Sequence, residues 1–390
     1  MDLRFSDDDV AFRDEVRTWL REHAPAEPRP HDRKAMREYD LAWQRTQWDG
    51  GWAGISWPTP YGGRGLPVLQ QLIWFEEYGA LGLPGIDACF VGLNHAGPTL
   101  MARASAEHQA FHLPRILRGD VVWCQGFSEP EAGSDLASLR TRAQVDGDEL
   151  VVTGQKIWTS FADVADWQEL LVRTDSDVAK HKGITWVICA MDTPGIEVRP
   201  IETMDHDEEF CEVFYDEVRI PLSNVVGDLN DGWSVAMSTL SFERGTAFTL
   251  SQVRLAKVVE DLIDEARWRT GPDGRRPALA DDEIARRLAT ARAEVAALRA
   301  MTYAGVSRSM VEGSPGPEGS IIKLYYAELA QRVYRLALDI VGIDALQFLS
   351  RWRPGGWSGN YLYSYAISIG GGTSEIQRNI IGERVLGLPR

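Results

Sequence analysis

Seven short β-rich runs lie together in the middle of this 390-residue chain, with helical pattern on both sides. They read "VVWCQGF", "SLRTRAQV", "ELVVTGQKIWTS", "WQELLVRT", "GITWVICAMD", "GIEVRPIE" and "CEVFYDEVRI". Asp-Gly, Lys-Gly and Pro-Gly turns punctuate them at the spacing of a small sandwich or barrel. A sheet buries its apolar face within its own unit, so the helices before and after it must form separate packed layers. The chain is also too long for one ordinary core. The expectation is α + β by segregation: a helical domain over 1–119, a β domain over 120–229 and a helical bundle over 230–390.

The flanking blocks carry helix signals. "RFSDDDVAFRDEVRTWLREH" places Ser6 and Asp9 in capping-box-like spacing, ahead of apolar positions at Val10, Phe12, Val16, Trp19 and Leu20. A second helix ends at Gly50-Gly51, and "LPVLQQLIWFEEYGALG" and "DACFVGLNHAGPTLMARAS" continue the bundle. After the β runs, Asn230 or Asp231 can cap a very long helical pattern from "GWSVAMSTL" to "DEARWRTG".

Composition narrows the function classes. A net charge of −16 disfavours nucleic acid, whose affinity depends on neutralised phosphates. It leaves room for a nucleotide-bearing ligand held by local donors such as a helix amino terminus or an arginine. No apolar run approaches the roughly 20 residues that span a bilayer, and the acidic start "MDLRFSDDDV" is unlike a leader sequence. Cys89, Cys124, Cys189 and Cys211 show no paired spacing and read as buried side chains in a reducing cytoplasm. The seven histidines form no metal-ligand pattern, so no metal is expected.

Three motifs remain. "GFSEPEAGSD" (126–135) leads out of the first β run; its Ser and backbone amides could hydrogen-bond a planar heterocycle, and its Gly-Ser permits a close ligand. On composition alone it is a loop. "KIWTS" (156–160) alone would be an amphipathic strand with a buried Trp. The Gly370-Gly371-Gly372 run near the end lacks a βαβ unit, which excludes a dinucleotide loop. Thr373 and Ser374 read as caps of a last helix, with Ser374 and Gln377 in capping-box spacing.

Together with "WPTPYGGRG", "FERG" and "GGTSEIQRNIIG", these motifs resemble the acyl-CoA dehydrogenase family over the whole chain, in order and at matching spacing. More narrowly, "GGGT" and "FERG" resemble actinobacterial-type members acting on CoA thioesters of bulky or unusual acids. The resemblance implies FAD as cofactor. It places Phe127, Ser128, Gly133, Ser134, Trp158, Ser160, Thr373 and Glu375 at positions that contact it, with Trp158 covering the isoalloxazine and Ser160 at its reactive edge. Ser134, Arg244 and Gly372 match positions along the CoA thioester. At the adenine end the sequence departs from the family: "EARWRTGPDGRRP" lacks a Phe-Gly, leaving Arg267 or Arg269, and a Gly-Gly pair is reduced to Gly342.

The family's reaction removes the proton α to the thioester carbonyl and passes the β hydride to flavin N5. Many members carry the base where this chain has Gly371. Glycine keeps the backbone N–H that the resemblance assigns to the thioester oxygen. A subset of the family carries the base in a Glu-Arg pair on the long helix, which here is Glu243-Arg244 in "LSFERGTAF". The implied enzyme desaturates an acyl-CoA, passes electrons to an electron-transfer flavoprotein or similar acceptor, and assembles as a dimer, homotetramer or hetero-oligomer in the cytoplasm. Glycine at 371 and the small residues of "GLPGIDACFVGLNHAGP" suggest a wide pocket for a branched, cyclic or polycyclic acyl group. Two other readings stay open: a non-catalytic partner subunit and a flavin monooxygenase on the same fold.

Overall fold

A computed structural model describes residues 5–242, 249–312, 316–353 and 355–389. The first block contains α1 (Asp7–His23), α2 (Arg33–Asp49), α3 (Val68–Ala80), α4 (Gly97–Arg103) and α5 (Ala106–Arg118). Ser6 caps α1, its hydroxyl accepting from the Asp9 N–H at 3.2 Å. Phe12, Val16 and Leu20 then face a cluster with Trp43, Trp52 and Trp74, which buries the apolar stripe that the spacing defines. The stretch before α4 is not a plain helix: a π turn spans Gly92–Ala96 and runs directly into α4. Such turns widen a helix locally and recur at functional sites.

The β runs become β1 (Trp123–Gly126), β2 (Arg142–Asp146), β3 (Glu149–Ser160), β4 (Trp167–Arg173), β5 (Ile184–Ala190), β6 (Ile196–Ile201) and β7 (Phe210–Pro221). They form one seven-stranded sheet in the order β1-β4-β2-β3-β7-β6, with β5 on the other edge of β4. β1 runs parallel to β4, and the β2–β3, β3–β7, β6–β7 and β4–β5 pairs are antiparallel. Alternation sorts the two faces. Trp123, Phe127, Leu171 and Trp186 pack against the first helical block, whereas Cys124, Leu170, Val187 and Val213 form the sheet's own core. All four cysteines are buried and free, as their spacing implies.

The third block contains α6 (Gly232–Phe242), α7 (Thr249–Trp268), α8 (Asp282–Glu312), α9 (Gly319–Val341), α10 (Trp357–Ile367) and α11 (Ser374–Ile380). The long pattern after Asn230 is described as α6 and α7, on either side of residues 243–248. α7, α8 and α9 share a core of Leu255, Val259, Leu262, Leu298, Leu329 and Val333. The blocks are tied together at buried points. Thr99 and Thr239 share a 2.8 Å hydroxyl–hydroxyl bond between α4 and α6, and Arg351, only 5 % exposed, reaches Asp207 and Glu209 before β7. Burial pushes the Glu209 carboxyl up, against the pull of Arg351.

Candidate active site

β1 leads into the 127–135 loop, and its conformation is fixed from below. Lys156, on β3, is wholly buried; its Nζ donates to the Phe127 carbonyl at 3.0 Å and to Glu129 Oε1 at 2.8 Å. Glu129 also accepts from the backbone N–H groups of Arg140 at 2.6 Å and Thr141 at 2.8 Å. Burial works against ionisation of Glu129, but the Lys156 charge and these donors outweigh it and hold the carboxyl below its usual range. Burial likewise draws Lys156 down to about 8. The Ile157 N–H donates to the Ser128 carbonyl at 3.0 Å, which docks the loop on β3. Phe127 is buried, Ser128 is half-buried, and Gly133 and Ser134 stand at the exposed tip.

Trp158 lies in an irregularity of the β3–β7 ladder, where the register shifts between Lys156 and Thr159. Its φ is +62°, unusual for a bulky residue, and its indole is 55 % exposed, edge-on to Phe210 at 6.1 Å. The ordinary reading of "KIWTS", a strand with its Trp in the core, therefore fails. A left-handed conformation costs on the order of 1–2 kcal/mol and here serves to expose an aromatic face. Ser160 is half-buried beside it, and Phe161 is also left-handed (φ +60°), its N–H held by the Glu209 carbonyl at 2.9 Å.

The closing motif forms a tight loop. Gly371 and Gly372 have φ of +65° and +90°, and Thr373 caps α11 by accepting from the Ile376 N–H at 3.3 Å. The expected Ser374–Gln377 capping box is not what forms. Gln377 is buried and turns its amide back to the carbonyls of Gly371 at 3.0 Å and Gly372 at 3.2 Å, because those left-handed residues leave their carbonyls without a helical partner. Glu375 is exposed in the first turn, where the backbone N–H and the Thr373 hydroxyl hold its carboxyl low.

Arg269 and Gly342 meet in a separate cluster. Arg269 is paired with Glu265 at 2.6 Å and with Asp344, two residues past Gly342, at 2.7 Å. Arg267 pairs with Asp264 on the surface. Glu243 and Arg244 lie outside the described residues; α6, which precedes them, is anchored by the Thr99–Thr239 bond. Sequence reasoning missed the Lys156–Glu129 support, although both residues lie inside its motifs. It also missed Glu169, a fully buried carboxylate on β4, whose signal is a lone acid within "WQELLVR".

Three family models cover the chain in succession: the acyl-CoA dehydrogenase N-terminal domain over 6–120, the middle domain over 124–218 and the C-terminal domain over 230–386. The chain belongs to the acyl-CoA dehydrogenase family. Acyl-CoA dehydrogenase IpdE1 of Mycobacterium tuberculosis is 38% identical over 97% of both chains, and acyl-CoA dehydrogenase FadE26 of the same organism is 36% identical over 87% of this chain and 86% of its own. Among solved structures, the Tcur3481–Tcur3483 steroid ACAD covers 100% of both chains at 32% identity and TM-score 0.85. The ChsE4–ChsE5 complex from Mycobacterium tuberculosis does so at 31% and 0.83. Family membership makes this acyl-CoA dehydrogenase a flavoprotein with FAD as cofactor. The described residues fit that group. The 127–135 loop is fastened to β3 by a buried ion pair, a tryptophan face is exposed at a strained position, and a glycine pair precedes a capped helix. Among the described residues no helix is long and apolar enough to cross a membrane.

Proposed function

We propose that this acyl-CoA dehydrogenase removes the α proton of a bulky acyl-CoA with Glu243 and orients the thioester with the backbone N–H of Gly371. Bound FAD supplies a hydride acceptor for the β position. Ser128, Ser160 and Trp158 would hold the flavin ring, Phe127, Gly133 and Ser134 the adjoining stretch of cofactor, and Glu375 its polar edge. Arg269 and Gly342 would serve the adenine end, with Arg269 exchanging a carboxylate partner for phosphate. Ser134, Arg244 and Gly372 would line the CoA thioester.

The observation that carries this reading is the backbone at Gly371. Its φ of +65° suits glycine and disfavours any side chain. A side chain there would carry a strain of roughly 1–2 kcal/mol, which supports a loop that offers an N–H and a base carried on another element. Glu243 is the acid that the family resemblance supplies, on the segment following α6.

The bulky acyl group is supported by the small residues around the Gly92–Ala96 turn and by the steroid ACAD named among the structural relatives. That relative and the ChsE4–ChsE5 complex each pair two named chains, which supports assembly with itself or with a second related chain. An electron-transfer flavoprotein in the cytoplasm is the acceptor proposed. The deciding experiment is anaerobic mixing of the FAD-loaded protein with ring-bearing, α-methyl-branched and straight-chain acyl-CoA thioesters. Bleaching of the flavin by the first two, with weak response to the straight chain, is expected. Bleaching only by straight chains overturns the bulky-substrate reading, and no bleaching by any of them overturns dehydrogenation in favour of a non-catalytic subunit.

A further inference from the structure

Glu169 has no place in the support of the flavin loop, and its environment is unusual for an acid. It lies on β4 between Trp167 and Leu171 and faces the first helical block with Trp123 and Phe127 of the neighbouring strand. It is 0% exposed. One carboxylate oxygen, Oε1, accepts from Gln125 Nε2 at 2.7 Å and lies 3.7 Å from His95 Nδ1. Gln125 Nε2 is in turn 3.2 Å from His95 Nδ1. The other oxygen, Oε2, is buried and has no hydrogen-bond partner among the described residues. A buried acceptor left unmatched is costly, so a native fold retains one where something else supplies the donor.

The position of the cluster says what that donor belongs to. Gln125 is half-buried on β1, three residues before Ser128 at the flavin edge, and its side chain shares a face with Phe127. His95 comes from the π turn Gly92–Ala96, inside the stretch of small residues assigned to the acyl pocket. Phe90, from the same stretch, is 39% exposed and sets its ring edge-on to His95 at 5.2 Å. The cluster thus joins the strand that leads into the 127–135 loop with the π turn of the first helical block.

We infer that Gln125, Glu169 and His95 form a polar end to the acyl pocket, where Glu169 accepts a hydrogen bond from a hydroxyl carried by the acyl group far from its thioester. This deepens the proposed function and rests on it. The substrate class becomes an acyl-CoA whose bulky, otherwise apolar acyl group bears a remote alcohol. A hydrogen bond to a buried acceptor in a dry site discriminates strongly against a ligand that lacks the donor, because the acceptor is then left unmatched. The apolar walls around it supply the rest of the contact.

The test uses FAD-loaded protein and three thioesters sharing one ring skeleton: a ring alcohol, the ketone and the deoxygenated parent. For the wild type, kcat/KM for the alcohol should exceed that for the parent by about 10- to 100-fold. In Glu169→Leu, which matches the apolar surroundings, the ratio should collapse towards one. An unchanged ratio in that variant, or a wild type that shows no preference for the alcohol, overturns the proposal. An ordered water as the only partner of Oε2 would give the second result. Glu169→Gln serves if the leucine variant fails to fold, because its amide can turn a donor towards the site and should shift preference from alcohol to ketone. Binding is followed in parallel by thermal shift with the same thioesters. Alcohol-dependent binding without flavin bleaching would count against dehydrogenation alone, and bleaching without alcohol preference against the polar end alone.

Discussion

Lys156 and Glu129 meet at 2.8 Å with both side chains buried, directly beneath the loop that carries Ser128 and Ser134. The pair is a fastening: the ammonium spans the Phe127 carbonyl and the carboxylate, and the carboxylate pins the backbone of Arg140 and Thr141. Removing one partner leaves the other charge buried and unmatched. Lys156→Met is therefore expected to destabilise the fold by about 3–5 kcal/mol, read as a shift in the urea midpoint without a change in slope. A loss under about 1 kcal/mol would show that the pair is dispensable.

The same carboxylate sets an acid limit. The folded pKa of Glu129 lies below its ordinary 4.5, so its contribution is fully present above that value and is lost as pH falls through the folded pKa. Thermal stability measured from pH 6 downwards should begin to drop near 4.5 in the wild type. In Glu129→Gln the slope over that interval should be shallower. Identical slopes would assign the acid sensitivity to other groups.

Trp158 separates function from stability. Its ring is 55 % exposed, so Trp158→Ala removes little burial and should move the melting temperature of the FAD-free protein by only a degree or two. An aromatic face stacked on a heterocycle contributes on the order of 1 kcal/mol beyond area. FAD affinity, titrated by flavin fluorescence, should therefore fall about 5- to 10-fold. Unchanged affinity would detach this residue from the cofactor.

Glu243→Gln should retain FAD and abolish bleaching by substrate, slowing proton removal by at least ~100-fold. Stopped-flow absorbance checks it. A carboxylate placed at 371 in that background carries a strain of roughly 1–2 kcal/mol, because φ there is +65°, so any bleaching it restores should stay below the wild-type rate. Rapid bleaching by Glu243→Gln would move the base to another residue.

Gly372 is constrained by contact as well as by φ. A Cβ there would stand 2.7 Å from Gln377 Nε2, the group that holds the carbonyls of Gly371 and Gly372. Gly372→Ala should loosen the loop and raise KM for the thioester while FAD remains bound. Steady-state kinetics on the holoenzyme would show it, and an unchanged KM would mean that the loop tolerates the methyl group.

The sequence by itself determined the three-block order and the seven strands, because periodicity and turn chemistry are local properties of neighbouring residues. Ser6 at a helix start and the strand "ELVVTGQKIWTS" needed nothing further. Tertiary structure decided which polar groups were matched and which were not. Lys156 finds Glu129 across 27 positions, Gln125 finds Glu169 across 44, and Thr99 finds Thr239 across 140. It also turned Trp158 outward, through a register shift that exists only once β3 pairs with β7. A side chain's pattern specifies which face it occupies. Whether a buried polar group is satisfied depends on what distant segments bring to that face, and among the described residues Glu169 Oε2 has no partner.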